Sequence, residues 1–106
     1  MRWKYKLKIK GVAPEKIHRA QIFIDSEILR NSSPLVPFDS GSLERSGITG
    51  TRIGTGIIKY TATYSKPQYF NGRSSGQRGR KWVRRMWISK GKKILKDAQK
   101  IINGGR

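Results

Sequence analysis

Six carboxylates and one histidine are the side chains of this sequence best suited to acid–base or metal chemistry. The carboxylates belong to Glu15, Asp25, Glu27, Asp39, Glu44 and Asp97. Asp25 and Glu27 lie two residues apart on a predicted helix, so they do not face each other, and no other spacing indicates an acid–base pair. A zinc or magnesium site needs several converging ligands, which this pattern does not supply. We therefore expect no enzymatic activity, no catalytic residue, no metal and no cofactor.

The sequence also contains no motif for nucleotide binding and no cysteine for thiol chemistry. The chain has 12 glycines, yet none falls in a phosphate-binding loop motif. Gly47, Gly50, Gly54 and Gly56 occur in a region predicted to form strands and turns, so we interpret them as bends. The absence of cysteine excludes disulfides and thiolate sites and fits a reducing cytoplasm.

Positive charge is the strongest chemical signal. The chain has 24 Lys and Arg against 6 Asp and Glu, for a net charge of +18. Such an excess repels itself unless nucleic acid, an anionic membrane or an acidic protein surface neutralises it. Residues 73–100 are the most basic stretch, with Asp97 as their one acid and Trp82 and Trp87 interleaved. The stretch contains no base-reading motif, so nucleic-acid contact would be independent of sequence.

The element at the N-terminal end places cations on one face. From Arg2 to Lys10 the pattern has a period of two, which predicts a half-buried strand. Its lysines either discourage edge-to-edge aggregation or face a polyanion. The apolar face carries Trp3, Tyr5, Leu7 and Ile9, and the other face carries Lys4, Lys6, Lys8 and Lys10.

Two helices and a hairpin complete the predicted fold. Apolar spacings of three and four predict one helix from Pro14 to about Arg30, with His18 at its surface or boundary, and another from Gly79 to about Ile102. We interpret Trp82 and Trp87 as core anchors of the second helix. Residues 48–53 and 57–64 predict a hairpin around Gly54–Gly56. Residues 31–46 and 66–77 are rich in Pro, Gly and Ser and predict loops, although Ser42–Ser46 suits one helical turn.

The expected architecture is one α+β domain over residues 1–106. A small antiparallel sheet packs against two helices, and two long polar loops connect them. No apolar run approaches the length needed to span a bilayer, so no membrane-spanning segment is expected. The basic final helix also suits a membrane-active cationic protein, but the predicted strands argue against that interpretation.

Three segments carry recognisable motifs. Val36–Ser46 contains a P-x-D-[TS]-G-x-L-x-x-S loop. Lys66–Phe70 loosely matches a Pro-Tyr element, although Gln68 separates Pro67 from Tyr69. Arg78–Met86 matches a Gly/Arg-rich turn with a tryptophan that opens the last helix. Taken in order, the three segments resemble a family of phage minor capsid and tail-completion proteins, and the resemblance covers roughly residues 17–102.

The resemblance implies a small ring-forming protein of the virion, located between the portal assembly and the tail. It implies homo-oligomerisation, contacts with other neck, portal-side and tail proteins, assembly in the host cytoplasm, and no catalysis. The loop residues that would contact neighbouring ring proteins are Pro37, Asp39, Ser40, Gly41, Leu43, Ser46, Pro67 and Tyr69. The alternative function is a sequence-independent nucleic-acid-binding protein.

The two basic elements suggest where DNA would lie if it passes through such a ring. Each keeps its apolar residues on one face and its cations on the other, so both basic faces remain outside the core. These cations either approach DNA or pair with acidic patches of neighbouring proteins. The residues expected to face DNA are Lys4, Lys6, Lys8, Arg80, Lys81, Arg84 and Arg85.

Overall fold

The described residues form two long helices, two short helices and a two-stranded antiparallel sheet, and about 59% of them are helical. The computed structural model describes residues 1–38 and 40–104. This architecture confirms the expected α+β class with a small antiparallel sheet. The elements in chain order are β1 (Arg2–Lys4), α1 (Pro14–Ser32), a 3₁₀ turn (Ser33–Leu35), α2 (Ser42–Gly50), β2 (Ile57–Lys59), α3 (Ser65–Asn71) and α4 (Trp82–Gly104).

Helices α1 and α4 pack along each other and form the largest contact between elements. Pro14 occupies the first turn of α1, where its missing N–H leaves no helical hydrogen bond unmade. The facing stripes are buried and belong to Ala20, Ile24 and Ile28 on α1 and to Met86, Ile94 and Ala98 on α4. Both long helices were predicted from these spacings and are confirmed.

The tryptophans of α4 anchor it to the rest of the core, as expected. Trp82 is fully buried, and the rings of Tyr60 and Tyr69 meet it edge-on at centroid distances of 5.3 and 4.8 Å. Trp87 is half-buried against Trp3 of β1, 5.7 Å away. Gly91 lies under the Trp87 ring, where an added Cβ would come within 2.8 Å, so close packing accounts for this mid-helix glycine.

The N-terminal strand is shorter than the predicted Arg2–Lys10. Strand β1 pairs with β2 in antiparallel register, with Trp3 opposite Ile58, and the pairing ends at Lys4. Beyond it, one further bond joins Tyr5 N–H to the Gly56 carbonyl at 3.0 Å. At Gly56 the segment that precedes β2 turns away from β1 with a φ of +76°. Residues 6–10 therefore have no neighbouring strand to pair with. The alternation of half-buried apolar and exposed lysine side chains nevertheless continues to Lys10.

The predicted hairpin of residues 48–53 and 57–64 is wrong, because β2 pairs with β1 instead. Residues 42–50 form α2, and only Ile57–Lys59 forms a strand. Gly47 is therefore a helical glycine that leaves room for the Tyr60 ring, since a Cβ there would overlap that ring. The predicted turn at Gly54–Gly56 does occur, and both glycines have positive φ.

Asp25 holds that turn in place. Its buried carboxylate accepts hydrogen bonds from the Gly54 and Gly56 N–H groups at 2.7 and 3.1 Å and from the Tyr5 hydroxyl at 2.6 Å. Burial and the bond to Asp25 raise the pKa of Tyr5 well above its ordinary value. One helical carboxylate thus fastens both the N-terminal segment and the turn before β2.

Both predicted loops contain helix, which corrects their boundaries. Helix α1 continues to Ser32, the turn expected at Ser42 extends to Gly50 as α2, and Ser65–Asn71 forms α3. Pro67 does not prevent α3 because it lies in the first turn, where no helical N–H is needed. Helix α4 begins at Trp82 rather than Gly79, because Gly79 N–H bonds the Leu35 carbonyl and Lys81 takes a φ of +51°. Among the described residues, no helix is both long and apolar enough to cross a membrane.

Candidate functional site

The segment that carries the family resemblance forms the start of α2. Gly41 adopts a φ of +82° immediately before the helix, and its carbonyl accepts the Arg45 N–H at 3.0 Å. Ser40 and Ser42 join their hydroxyls at 2.7 Å. Asp39, the central acid of the motif, lies outside the described residues. The motif therefore builds a glycine-bent entry into a short helix.

Several of the residues expected to contact partners point into the protein's own core. Leu43, Ser46 and Tyr69 are buried, and Ser46 Oγ donates to the Leu43 carbonyl at 2.7 Å. Gly41 is buried as well. For these four residues the monomer fold accounts for the burial. The members of the set that remain at least partly accessible are Pro37, Ser40 and Pro67.

A small cleft opens beside the motif. Its volume is about 250 Å³, and Phe38 stands at its edge with 60% of its surface exposed. The Arg78 guanidinium lies 5.3 Å from the centroid of the Phe38 ring, which is a cation–π distance. We call this feature the Phe38 cleft, and it is lined by Pro37, Phe38, Leu43, Tyr64 and Gln68.

Arg78 and Arg85 donate hydrogen bonds from their guanidinium groups to backbone carbonyls of the protein itself, and we call the two residues the arginine clamp. Arg78 Nη1 donates to the Val36 carbonyl at 2.7 Å and to the Ser33 carbonyl at 3.2 Å. Arg85 donates from Nε to the Arg80 carbonyl at 2.8 Å and from Nη1 to the Gln77 carbonyl at 3.0 Å. Arg85, which was predicted to face DNA, thus directs its Nε and Nη1 donors to carbonyls of irregular backbone near the start of α4.

The other cations predicted to face DNA are exposed and belong to two parts of the chain, the N-terminal segment and the start of α4. Lys4, Lys6 and Lys8 alternate along the N-terminal segment, while Arg80 precedes α4. Lys81 and Arg84 meet β1 and α3 around a groove of about 560 Å³. We call it the cationic groove, and it is lined by Met1, Arg2, Trp3, Lys66, Tyr69, Phe70, Lys81 and Arg84.

The cationic groove contains no acidic side chain to balance its charge. Within residues 1–38 and 40–104, the recorded ion pairs join Arg30 to Glu27 and Lys93 and Lys100 to Asp97, none of which lines the groove. Hydrogen bonds from Arg30 and Lys93 hold the pKa of Glu27 and Asp97, respectively, below their ordinary values. The groove cations have no such carboxylate partner in the described part of the chain.

The backbone around Tyr69 fixes the shape of the groove. Lys81 N–H donates to the Tyr69 carbonyl at 2.8 Å, and Arg84 N–H donates to the Tyr69 hydroxyl at 3.2 Å. Phe70 packs edge-on against the Tyr69 ring at 5.2 Å and remains 48% exposed. Because Tyr69 also contacts buried Trp82, the groove wall is continuous with the core.

Sequence reasoning identified Lys81 and Arg84 but missed Arg2, Lys66 and Phe70. Arg2 and Lys66 are far apart in the sequence and meet only through the fold, so no local spacing indicates them. Phe70 adjoins the matched Pro67–Tyr69 element, yet its exposure depends on α3, which was predicted to be loop.

The described residues offer no candidate metal centre. No group of three or more His, Cys, Asp or Glu side chains in residues 1–38 and 40–104 is arranged to hold a metal ion. Comparisons of the chain with family models, curated proteins and solved structures found no significant match.

Proposed function

We propose that this chain is a non-enzymatic structural component of a tailed-phage virion at the head–tail junction. In this role it forms a homo-oligomeric ring of the tail-completion or connector type. The ring bridges the portal side of the head to the tail and is assembled in the host cytoplasm. The proposal rests on the sequence resemblance of Val36–Ser46 and on the way this segment is presented.

The presentation of Phe38 is the observation that carries the proposal. The motif could have folded inward, yet Phe38 is 60% exposed at the edge of a cleft. The Arg78 guanidinium contacts the ring from one side and donates to the Ser33 and Val36 carbonyls. An exposed ring beside a cleft offers apolar surface that a neighbouring protein could cover.

Further exposed apolar side chains favour assembly. Ile48 on α2 and Ile88 on α4 are 60% and 74% exposed. Single exposed apolar residues are ordinary in soluble proteins. Here they occur beside the motif and on a long helix of a small chain, where a ring subunit would meet its neighbours.

A second function, sequence-independent nucleic-acid binding, is favoured by the uncompensated charge. The chain carries +18, and ion pairs within residues 1–38 and 40–104 include those of Arg30, Lys93 and Lys100. Polyanion contact would relieve the repulsion that so large an excess of positive charge creates. A purely nucleic-acid-binding protein has no need of an exposed Phe38 cleft, so we place this function second.

Genetic depletion in the encoding phage tests the neck assignment. Infection without the protein should yield filled heads and free tails that do not join, counted by negative-stain electron microscopy. Wild-type protein supplied from a plasmid should restore joined particles, and mass spectrometry should find it in several copies per virion. Joined, infectious particles formed without the protein would overturn the proposal.

Variants at the cleft connect that result to the structure. Phe38→Ser removes the exposed ring and should fail to restore joining, while its circular dichroism and melting temperature match those of the wild type. Arg52→Gln, a change at an exposed residue outside the cleft, is the control and should restore joining. Equal rescue by both variants would show that the Phe38 cleft is not the docking feature.

A further inference from the structure

We propose that the cationic groove binds single-stranded nucleic acid, with a phosphate held between Lys81 and Arg84 and a base stacked on Phe70. This inference goes beyond the neck assignment, because a ring subunit need not bind single strands. It assigns a ligand class to a site formed by β1, α3 and the start of α4.

The charge of the groove selects a polyanion. Arg2, Lys66, Lys81 and Arg84 converge on it, and none of the described residues that line it carries a carboxylate. In contrast to Arg85, these four side chains make no hydrogen bond or ion pair to the described residues. Arginine and lysine together offer both bidentate and point-charge recognition of phosphate oxygens. Their donors therefore remain available for an incoming anion.

The aromatic side chains select a nucleotide over a plain acidic peptide. Phe70 exposes 48% of its surface beside the cations, and Trp3 contributes a second ring to the lining. Alternating cations and exposed rings are the common means of holding single strands, because every base has a face that stacks. An oligoglutamate would use the cations and leave Phe70 in water.

The same arrangement favours single strands over duplex. In a duplex the base faces are stacked on one another, so a ring on the rim of a concave groove cannot reach them. The groove volume of about 560 Å³ lies in the range of sites that enclose a small ligand. It therefore suits one extruded or unpaired nucleotide at a time rather than the side of a helix.

The groove also keeps its shape without the ligand. Tyr69 fixes the backbone of Lys81 and Arg84 through two hydrogen bonds, and its ring contacts buried Trp82. Lys81 is held at a φ of +51°, which is unusual for a residue other than glycine. Preorganisation of this kind reduces the conformational cost of binding.

Fluorescence anisotropy of the full chain tests the proposal directly. The probes are a labelled oligothymidylate, a mixed-sequence duplex of the same length and an oligoglutamate peptide, each titrated at low and moderate salt. The oligothymidylate should bind most tightly, and its affinity should fall steeply as salt rises. Tighter binding of the duplex or of the peptide would overturn the single-strand assignment.

Three variants separate the groove from net charge. Arg84→Gln should weaken oligothymidylate binding by about tenfold, because it removes charge-assisted bonds to phosphate. Phe70→Leu keeps apolar bulk but removes the stacking face, and should weaken binding by about fivefold or more. Arg52→Gln removes an equal charge from an exposed position outside the groove and should have a much smaller effect. Equal losses for Arg84→Gln and Arg52→Gln would show that binding is diffuse and overturn the proposal.

A wild-type measurement keeps the test valid if a variant misfolds. An oligonucleotide carrying 5-iodouracil crosslinks to aromatic side chains when irradiated, and the attached peptide is identified by mass spectrometry. The expected attachment is at Phe70 or Trp3, the rings of the groove that are at least partly accessible. Attachment mainly at Tyr64, or no attachment at all, would exclude the groove. Neither result would affect the depletion experiment, which tests the neck assignment alone.

Discussion

Arg84 and Arg85 are neighbours on α4, yet they belong to two regions with opposite uses of positive charge. Arg85, with Arg78, forms the arginine clamp and donates to backbone carbonyls before and around α4. Arg84 lines the cationic groove and has no recorded acceptor for its guanidinium among the described residues. Consecutive residues on a helix point about 100° apart, so one faces the irregular backbone and the other faces β1.

The difference shows that a basic stretch is not one surface. The clamp adds hydrogen bonds to carbonyls at the 3₁₀ turn and in the segment before α4. The cations that line the groove have no carboxylate partner among the described residues. Net charge therefore overestimates the number of cations available to a polyanion, because the fold engages some of them in hydrogen bonds to backbone carbonyls.

The largest expected effect comes from the residue that both regions depend on. Trp82 is fully buried at the start of α4, beside the clamp, and its ring supports Tyr69 of the groove. Trp82→Ala should lower the free energy of unfolding by about 3–5 kcal/mol, because it removes a large buried ring and leaves a cavity. Urea denaturation followed by circular dichroism measures the loss.

Trp87→Ala is the matched control for Trp82→Ala. Trp87 is only half-buried against Trp3, so its loss should be clearly smaller. If Trp82→Ala unfolds at the wild-type urea concentration, the two regions do not share an anchor.

Sequence reasoning succeeded where a local period determines burial. The stripes of α1 and α4 follow from spacings of three and four, and the alternation to Lys10 persists even where strand pairing stops. It failed at β2, because Ile57–Lys59 pairs with the start of the chain rather than with residues 48–53. Whether a strand pairs with a near or a distant segment depends on tertiary packing, which local sequence does not encode. Helix α2 was missed because the residues around Gly47 have a composition typical of strands.

The candidate sites divide in the same way. The motif at Pro37–Ser46 was visible in the sequence, but the inward direction of Leu43 and Ser46 was not. In the groove, Lys81 and Arg84 came from the basic stretch, whereas Arg2 and Lys66 required the fold. Asp25 was identified only as a helical acid, and its three donors come from segments that meet it through tertiary packing.

The second largest effect is a difference in the free energy of unfolding between a clamp variant and a groove variant. Arg78→Gln should lower the free energy of unfolding by about 2 kcal/mol, because it removes two hydrogen bonds to carbonyls and the contact with Phe38. Arg84→Gln should change it by about 0.5 kcal/mol or less, as is usual for an exposed side chain. Equal losses in urea denaturation would contradict the division between the two regions.

The smallest effect uses alkaline pH, which acts on the groove wall and leaves the guanidinium groups of the clamp charged. Burial raises the pKa of Tyr69 above its ordinary value of 10.0. The unfolded chain therefore releases this proton at lower pH than the folded protein does. The stabilisation is fully present below pH 10 and is lost as pH rises above it, at no more than about 1.4 kcal/mol per pH unit.

Tyr69→Phe should flatten the fall in the free energy of unfolding measured by urea denaturation between pH 9 and pH 11, relative to the same change at exposed Tyr64. Tyr5 and Tyr60 also have raised pKa values and steepen the fall in both variants alike, so the difference between the two slopes isolates Tyr69. Identical slopes for Tyr69→Phe and Tyr64→Phe would mean that the Tyr69 phenol is not buried in the wall of the groove.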